Sequence, residues 1–343
     1  MAARDISFAS FNLLNLQRPG APMYSGSAWS EDQYEAKLFY TGAVLSRLAP
    51  DVTGFQELWD GAALTEALDI AGMAESHVAL VPPDHGGDRI ACAGAVRADM
   101  LVGEPEWIVA FPAGMALASG GDDPQQDRIA VELGSFSRPV LHVTVRPHEE
   151  TPVIHVFVCH FKSRRPTELW REGWYDRETH APHLTALGYA ISTIRRTAEA
   201  AALRMILTDL MKGSNTPVVV IGDMNDGKLS NTLNILTEQP QYLTGLSEGG
   251  GDNALYTAQV LQEYRSTRDV YYTHVYRKER ESLDHILVSQ EFYDHSRRRL
   301  WAFDEMVVEN DHLNRNDHDS SGTSDHGVIR AGFRWRPAEG ASV

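Results

Sequence analysis

Short apolar runs recur along the chain and predict strands. They lie at Ile6 to Leu14, Val52 to Gln56, His77 to Val81, Ile90 to Val96, Ile129 to Leu133, Val140 to Val145, Val153 to His160, Val218 to Gly222, Leu283 to Ser289 and Val328 to Phe333. Most are rich in Val, Ile and Phe and are bounded by Gly, Pro, Asp or Asn, the composition of half-buried pleated segments. Elsewhere the period is helical. Ser30 and Gln33 make a capping-box pattern ahead of Tyr34, Leu38, Thr41, Leu45 and Leu48, and Pro50 closes that helix. A longer helix runs from about Ile191 to Met211, with Ile191, Ile194, Ala198, Ala202, Met205 and Leu210 as the expected buried stripe and Gly213 as its stop. Each helix leads into a strand, which fits helices packed outside a sheet-dominated core.

No internal repeat and no Pro/Gly/Ser linker divides the chain, so residues 1–343 are expected to form a single domain. Two stretches read as surface elaborations: 163–189, with Trp170, Trp174 and Tyr175 among charged residues, and the polar, Asp/Asn/His-rich 304–323. A hydrophobic share of 43% with 23% charged residues is that of a globular protein and excludes extended disorder. The net charge of -16 opposes tight, purely electrostatic binding of a polyanion. It leaves room for a nuclease, because carboxylates gathered around a cation add to the negative sum while presenting a positive centre to phosphate.

No apolar run approaches the roughly 18 to 20 residues needed to cross a bilayer, and Met1 to Phe11 lacks the basic-then-apolar pattern of a leader. Cys92 and Cys159 sit in apolar strand-like runs and read as buried thiols. A cytoplasmic protein without stable membrane association is therefore expected.

The strongest chemical signal is Val218-Val219-Val220-Ile221-Gly222-Asp223-Met224-Asn225. An apolar strand delivers Asp223 and Asn225 to one face at its end, where a carboxylate and an amide can orient a water and a phosphate oxygen. Alone, this pattern would more often be a strand followed by a turn. Other strands end in the same way. Ser10-Phe11-Asn12 and Phe55-Gln56-Glu57 close on an amide and a carboxylate, and Cys159-His160-Phe161-Lys162 carries a His and a Lys out of a strand. Leu283-Asp284-His285 opens one strand, and Ser324-Asp325-His326 stands just before another.

This order of motifs, from Phe8 to Phe333, resembles the endonuclease/exonuclease/phosphatase superfamily, whose fold is that of deoxyribonuclease I. The resemblance implies an α+β, four-layer α/β/β/α sandwich of two mixed sheets flanked by helices. It implies Mg²⁺ as cofactor, with Mn²⁺ able to substitute, held by Glu57 with Asn12 and Asp325, since hard cations take oxygen donors. Asp223 is expected to orient or deprotonate the attacking water, and Asn225 to hold water or a non-bridging oxygen. His326 would contact the phosphate or act as base, with Asp284 fixing its ring, and His160 would be a second phosphate contact or the acid for the leaving oxygen.

The reaction implied is in-line displacement at phosphorus, with nucleic acid or another phosphodiester as partner. His160-Phe161-Lys162-Ser163 looks like the bacterial nuclease branches, so cleavage of DNA or RNA leads. The alternative is a phosphatase or phosphodiesterase acting on a small phosphorylated metabolite or lipid headgroup, and a binding protein that lost catalysis is the remaining class. Lys162, Arg164, Trp170 and Trp174 are the expected substrate contacts, the tryptophans by stacking on bases, with pinning of the loop as their alternative role. His77, His142 and His155 read as core or edge residues, Arg195 and Arg196 as a solvated helix face, and His312 and His318 as open between loop structure and a second metal.

Overall fold

A computed structural model describes residues 4–24, 26–120, 127–240, 252–266 and 271–341. The strands, in chain order, are β1 (Ile6–Leu16), β2 (Val52–Leu58), β3 (His77–Leu80), β4 (Ala91–Arg97), β5 (Leu101–Ala110), β6 (Leu117–Ser119), β7 (Ile129–Val131) and β8 (Ser135–Val145). They continue with β9 (Ile154–His160), β10 (Val218–Asp223), β11 (Tyr256–Thr257), β12 (His274–Tyr276), β13 (Glu279–Glu281), β14 (Asp284–Val288), β15 (Trp301–Glu309) and β16 (Val328–Trp335). The helices are α1 (Glu31–Leu48), α2 (Gly61–Ile70), α3 (Arg177–His180), α4 (Leu184–Met211), α5 (Asn231–Thr237), α6 (Ala258–Arg265) and α7 (His318–Ser321).

One six-stranded sheet has the order β15-β16-β1-β2-β4-β3 and the other β11-β14-β10-β9-β8-β5. Both are mixed. The parallel pairs β1–β2 and β9–β10 each need a crossover, which α1 and α4 supply. Three apolar clusters separate four layers. Phe8, Val52 and Val96 of the first sheet meet Val143, Val158 and Ile221 of the second. Phe11 and Phe55 face Leu38 and Leu45 of α1 and Leu64 of α2. Phe157 and Val220 face Leu203 and Leu207 of α4 and Leu233 of α5. The expected α/β/β/α sandwich is thus the observed one.

The capping box of α1 forms as the sequence predicts: the Ser30 hydroxyl accepts from Gln33 N, and the Gln33 side chain accepts from Ser30 N. Other details differ. The expected strand at Ile129 to Leu133 shrinks to β7, which is largely exposed and pairs with β6 in a two-stranded sheet apart from the two large ones. β5 was not expected, because an edge strand carrying Glu104, Pro105 and Glu106 shows little apolar alternation. The stretch 304–323 is not one loop: it begins as the end of β15, where a bulge between Phe303 and Glu305 breaks the alternation. Likewise 163–189 contains α3 and the start of α4. In α4, Ala198 and Ala202 are buried as expected, but Ile194 and Met205 are exposed. The buried face instead includes Ser192, Arg196, Glu199, Leu203 and Leu207, so charged residues displace the apolar stripe.

Register sets the site. In β10, Asp223 lies opposite His160 of β9 on one side and Asp284 of β14 on the other. Gly222 makes this close fit feasible: a Cβ there would lie 1.9 Å from the Cys159 carbonyl oxygen. Gly222→Ala is expected to destabilise the protein by on the order of 4 kcal/mol or more, the range of backbone overpacking with no side chain free to yield. Thermal or urea unfolding checks this; a midpoint equal to that of the unmodified protein would contradict the packing at Gly222.

Candidate active site

The two sheets present their functional ends to the same notch. From the second come His160, Asp223 and Asp284, all buried. From the first come Asn12 in β1, where its regular pairing with β2 breaks, Glu57 near the end of β2, and Asp325 and His326 just ahead of β16. Asn12 joins them: its Nδ2 donates to Asp223 Oδ2 at 3.1 Å, across the sandwich.

That oxygen is a meeting point. Asn225 Nδ2 lies 3.2 Å from it, His160 Nε2 3.5 Å and His326 Nε2 3.9 Å. Asp223 Oδ1 accepts the backbone N–H of Asn225 at 2.8 Å. Asn225 also donates to Phe161 O at 3.1 Å, tying the turn after β10 to the exit of β9. His326 Nδ1 donates to Asp284 Oδ2 at 2.8 Å, and the backbone N–H of His326 is held by Ser324, whose hydroxyl donates to Asn12 O at 2.7 Å. Glu57 is half-buried and faces Asn12 and Asp325.

Charge and burial give the two histidines opposite states. Burial works against a cation at His326, but Asp284 and then Asp223 outweigh it and hold its pKa well above the ordinary histidine value. At His160, burial and the nearby charges of Arg138, His326 and Lys162 all act in one direction and hold the ring neutral. Burial pushes the Asp223 carboxyl up to about 7, opposed by His326 and reinforced by Asp284. Glu57 is raised by burial and by repulsion from Asp325. Ligand atoms of Asp223, Asp284 and His326, and separately of His274, Asp325 and His326, lie within 4.8 Å of one another.

Around this centre the expected substrate contacts fare differently. Lys162 is half-buried at the exit of β9, its ammonium disfavoured by burial and by Arg138, Arg195 and Arg196. Arg164 is engaged by the protein itself: Nε donates to Asn225 O at 2.9 Å, Nη1 to Glu281 at 2.6 Å and Nη2 to Asp226 at 3.0 Å. Trp170 and Trp174 are exposed, at 56% and 52%, and Trp174 packs edge-on against His180. Arg196 corrects the sequence reading of a solvated face. It is buried, with Nε 3.2 Å from Asp226 and Nη1 donating to Lys162 O at 3.2 Å.

Several participants escaped sequence reasoning. Glu199, buried on α4, accepts the backbone N–H groups of Ser137 and Lys162 at 2.8 and 2.7 Å. Arg138, in β8, reaches Phe161 O at 3.3 Å and influences His160, Lys162 and Glu57. A lone cation inside Phe136-Ser137-Arg138-Pro139-Val140 was the available signal. His274 was not singled out at all. His312 bonds to Tyr40 and, through Nε2, to His326 O at 2.9 Å, while His318 meets Thr323. His142 and His155 bond to each other at 3.0 Å on neighbouring strands.

A two-sheet sandwich with carboxylates, amides and histidines at one shared end defines a hydrolytic class of fold and site. Residues 9–326 match the family model described as "Endonuclease/Exonuclease/phosphatase family", and the chain belongs to that family of phosphoester hydrolases. Solved structures with the same fold include the human Nocturnin catalytic domain, with 14% identity, TM-score 0.55, and coverage of 97% of this chain and 96% of that one. A humanized D. rerio TDP2 has 14% identity, TM-score 0.57 and coverage of 97% and 100%. ANGEL2, described as a 2',3'-cyclic phosphatase, has 14% identity, TM-score 0.56 and coverage of 98% and 97%. Comparison with curated proteins finds no match.

The pairing of His326 with Asp284 is directly testable. In Asp284→Asn the main charge supporting the imidazolium is gone, so the His326 titration followed by NMR is expected to move down towards the ordinary histidine range. An unmoved titration would show that Asp284 does not govern that ring.

Proposed function

We propose that residues 1–343 act as a single catalytic domain that hydrolyses phosphodiesters with Mg²⁺, Mn²⁺ substituting, and that the substrate is DNA or RNA. The observation that carries this reading is the crowding of Glu57 against Asp325 beside Asn12, next to an Asp223 flanked by one neutral and one cationic histidine. A buried Glu57 whose ionisation Asp325 disfavours, with the Asn12 amide at hand, supplies the oxygen donors a hard cation takes. Glu57, Asn12 and Asp325 would hold the ion. When bound, it would neutralise charge developing on a phosphoryl oxygen.

The chain's own groups account for the rest. Asp223 has Oδ2 directed into the notch, suited to holding and deprotonating a water, while Asn12 and Asn225 fix its orientation. His326, kept cationic by Asp284, presents Nε2 as a charged donor to a non-bridging phosphate oxygen. His160 is neutral, which favours its role as a second phosphate contact over that of acid for the leaving oxygen. Asn225 supports both Asp223 and the exit of β9. Lys162 contacts substrate phosphate, and Arg138 joins it there. Arg164, with its donors engaged by Asn225, Asp226 and Glu281, positions the Asn225 turn. Trp170 and Trp174 lie on the surface following Lys162 as platforms for bases.

A second reading, a small phosphorylated metabolite or lipid headgroup as substrate, is favoured by one observation: Arg164 and Arg196, two cations beside the site that could track a long polyanion, are both ion-paired within the protein. The described residues contain no helix long and apolar enough to cross a membrane. The free, buried Cys92 and Cys159 support placing the enzyme in the reducing cytoplasm.

The direct test is hydrolysis of single-stranded DNA, duplex DNA, RNA, nucleotides and phospholipids, each with Mg²⁺ and with chelator. Turnover that persists in chelator would refute the metal-dependent reading. Glu57→Gln is expected to weaken Mg²⁺ binding measured by calorimetry and to lower activity with it; unchanged affinity would remove Glu57 from the metal set. Replacing Trp170 and Trp174 together with Ala is expected to raise KM for a base-containing polymer and to spare a minimal phosphodiester. Stacking contributes roughly 1 to 3 kcal/mol per base, so a KM effect of tenfold or more is the scale to look for. Equal losses on both substrates would make the tryptophans structural.

A further inference from the structure

One histidine that the hydrolytic scheme does not use faces the same notch. His274 opens β12, and an antiparallel bridge joins its backbone to that of His326, with Gly327 N donating to Thr273 O at 2.6 Å. The bridge fixes the two rings with their centroids 5.1 Å apart, tilted by 45°. Nδ1 of His274 is buried and has no hydrogen-bond partner among the described residues. Such a nitrogen calls for an explanation, since buried polar atoms are nearly always paired. His274, Asp325 and His326 each bring a ligand atom within 4.8 Å of the others. His326 is also oriented as a metal ligand is: Nδ1 donates to Asp284, which leaves Nε2 as the coordinating atom.

We propose that His274, Asp325 and His326 form a second cation site, selective for nitrogen-preferring divalent ions such as Zn²⁺ over Mg²⁺, whose occupation inhibits hydrolysis. Two imidazoles and one carboxylate are a borderline-soft donor set with a fourth position left for water, which suits Zn²⁺ and Co²⁺; Mg²⁺ prefers oxygen donors in an octahedron. Inhibition follows from shared residues. The ion withdraws Asp325 from the Mg²⁺ set and occupies Nε2 of His326, where it replaces a proton that passes to solvent. This inhibitory part rests on the proposed hydrolytic reading, whereas binding of the ion does not.

The test adds Co²⁺, and in parallel Zn²⁺, to the Mg²⁺-saturated protein. Visible absorption bands from nitrogen-ligated Co²⁺ are expected in the unmodified chain and in Glu57→Gln. They should be lost in His274→Ala, with Zn²⁺ affinity by calorimetry weaker by at least about tenfold. Half-inhibition by Zn²⁺ should need at least about tenfold more ion in His274→Ala, each rate referred to the same protein without Zn²⁺. His274→Gln, which retains a polar side chain, provides a second variant should the alanine form fold poorly. Unchanged Zn²⁺ affinity in both variants would overturn the site, as would Co²⁺ bands that vanish in Glu57→Gln and survive in His274→Ala. If the bands behave as expected but no phosphodiester is hydrolysed, the cation site stands and the hydrolytic reading fails.

Discussion

Four carboxylates, Glu57, Asp223, Asp284 and Asp325, converge where the ends of two sheets meet, and their mutual repulsion is the constraint to which the surrounding structure responds. Removing charges from water costs several kcal/mol each unless partners compensate. Asp284 is compensated by the His326 imidazolium at 2.8 Å. Asp223 collects Asn12, Asn225 and two imidazoles, and still has its carboxyl raised to about 7. Glu57, raised by burial and by its neighbour Asp325, has no such compensation from a cationic partner among the described residues, and a bound cation is the response the proposed function assigns to the pair. Function and electrostatic balance are here one arrangement: what repels within the protein is what would bind the ion.

Holding that arrangement requires unusual backbone. Glu57 has φ of 60°, Asn225 51°, and Leu14 and Asn15, just beyond Asn12, have 47° and 60°. Left-handed conformations at such residues cost on the order of 1 to 3 kcal/mol each and persist only where neighbours over-determine them. The neighbours are identifiable. Trp59 Nε1 donates to Asn15 Oδ1 at 2.8 Å, Trp29 Nε1 to Asn15 O at 2.7 Å, and Lys37 Nζ to Leu13 O at 2.8 Å while lying over the Trp29 ring. Lys37 is buried, and desolvation pulls its pKa down to about 8. The capping box that starts α1 at Ser30, directly after Trp29, thus helps to set the backbone that carries Asn12.

How much of this was legible in the sequence depends on where each residue draws its partners. Glu57, His160 and Asp223 stand at or next to the ends of strands with strong apolar runs, Asn12 closes the apolar run inside β1 and Asp325 precedes that of β16, so the period of the strand announces the residue that breaks it. Arg196 and Glu199 offer no such signal. They lie within a helix whose apolar residues suggested a different face, and they are buried because Asp226, Ser137 and Lys162, all distant in sequence, need partners. His274 is hidden for the same reason: β12 is three residues long, and its meaning comes from a bridge to His326. β15 was obscured by its bulge, and β5 by edge-strand polarity. Local pattern reads what the chain does with its neighbours, and most of the second layer of this site is non-local.

His160 and His326 show what that non-local layer contributes. Both are buried imidazoles, both approach Asp223 Oδ2, and burial alone would make both neutral. The difference lies in what stands behind each ring. His326 has Asp284 on its Nδ1, whereas His160 Nδ1 has no partner among the described residues and the ring faces the charges of Arg138 and Lys162. Pairs of titratable groups pushed apart by their surroundings are how a site separates a charged donor from a neutral one at the same pH. Arg138 therefore acts twice: in the proposed reading it attracts the substrate phosphate, and it adds to the burial that already disfavours a proton on His160. The asymmetry sets one cationic and one neutral ring beside an Asp223 oxygen that Asn12 and Asn225 already hold, and of the charged residues that create it Asp284 and Lys162 belong to the strand-end pattern while Arg138 lies outside it.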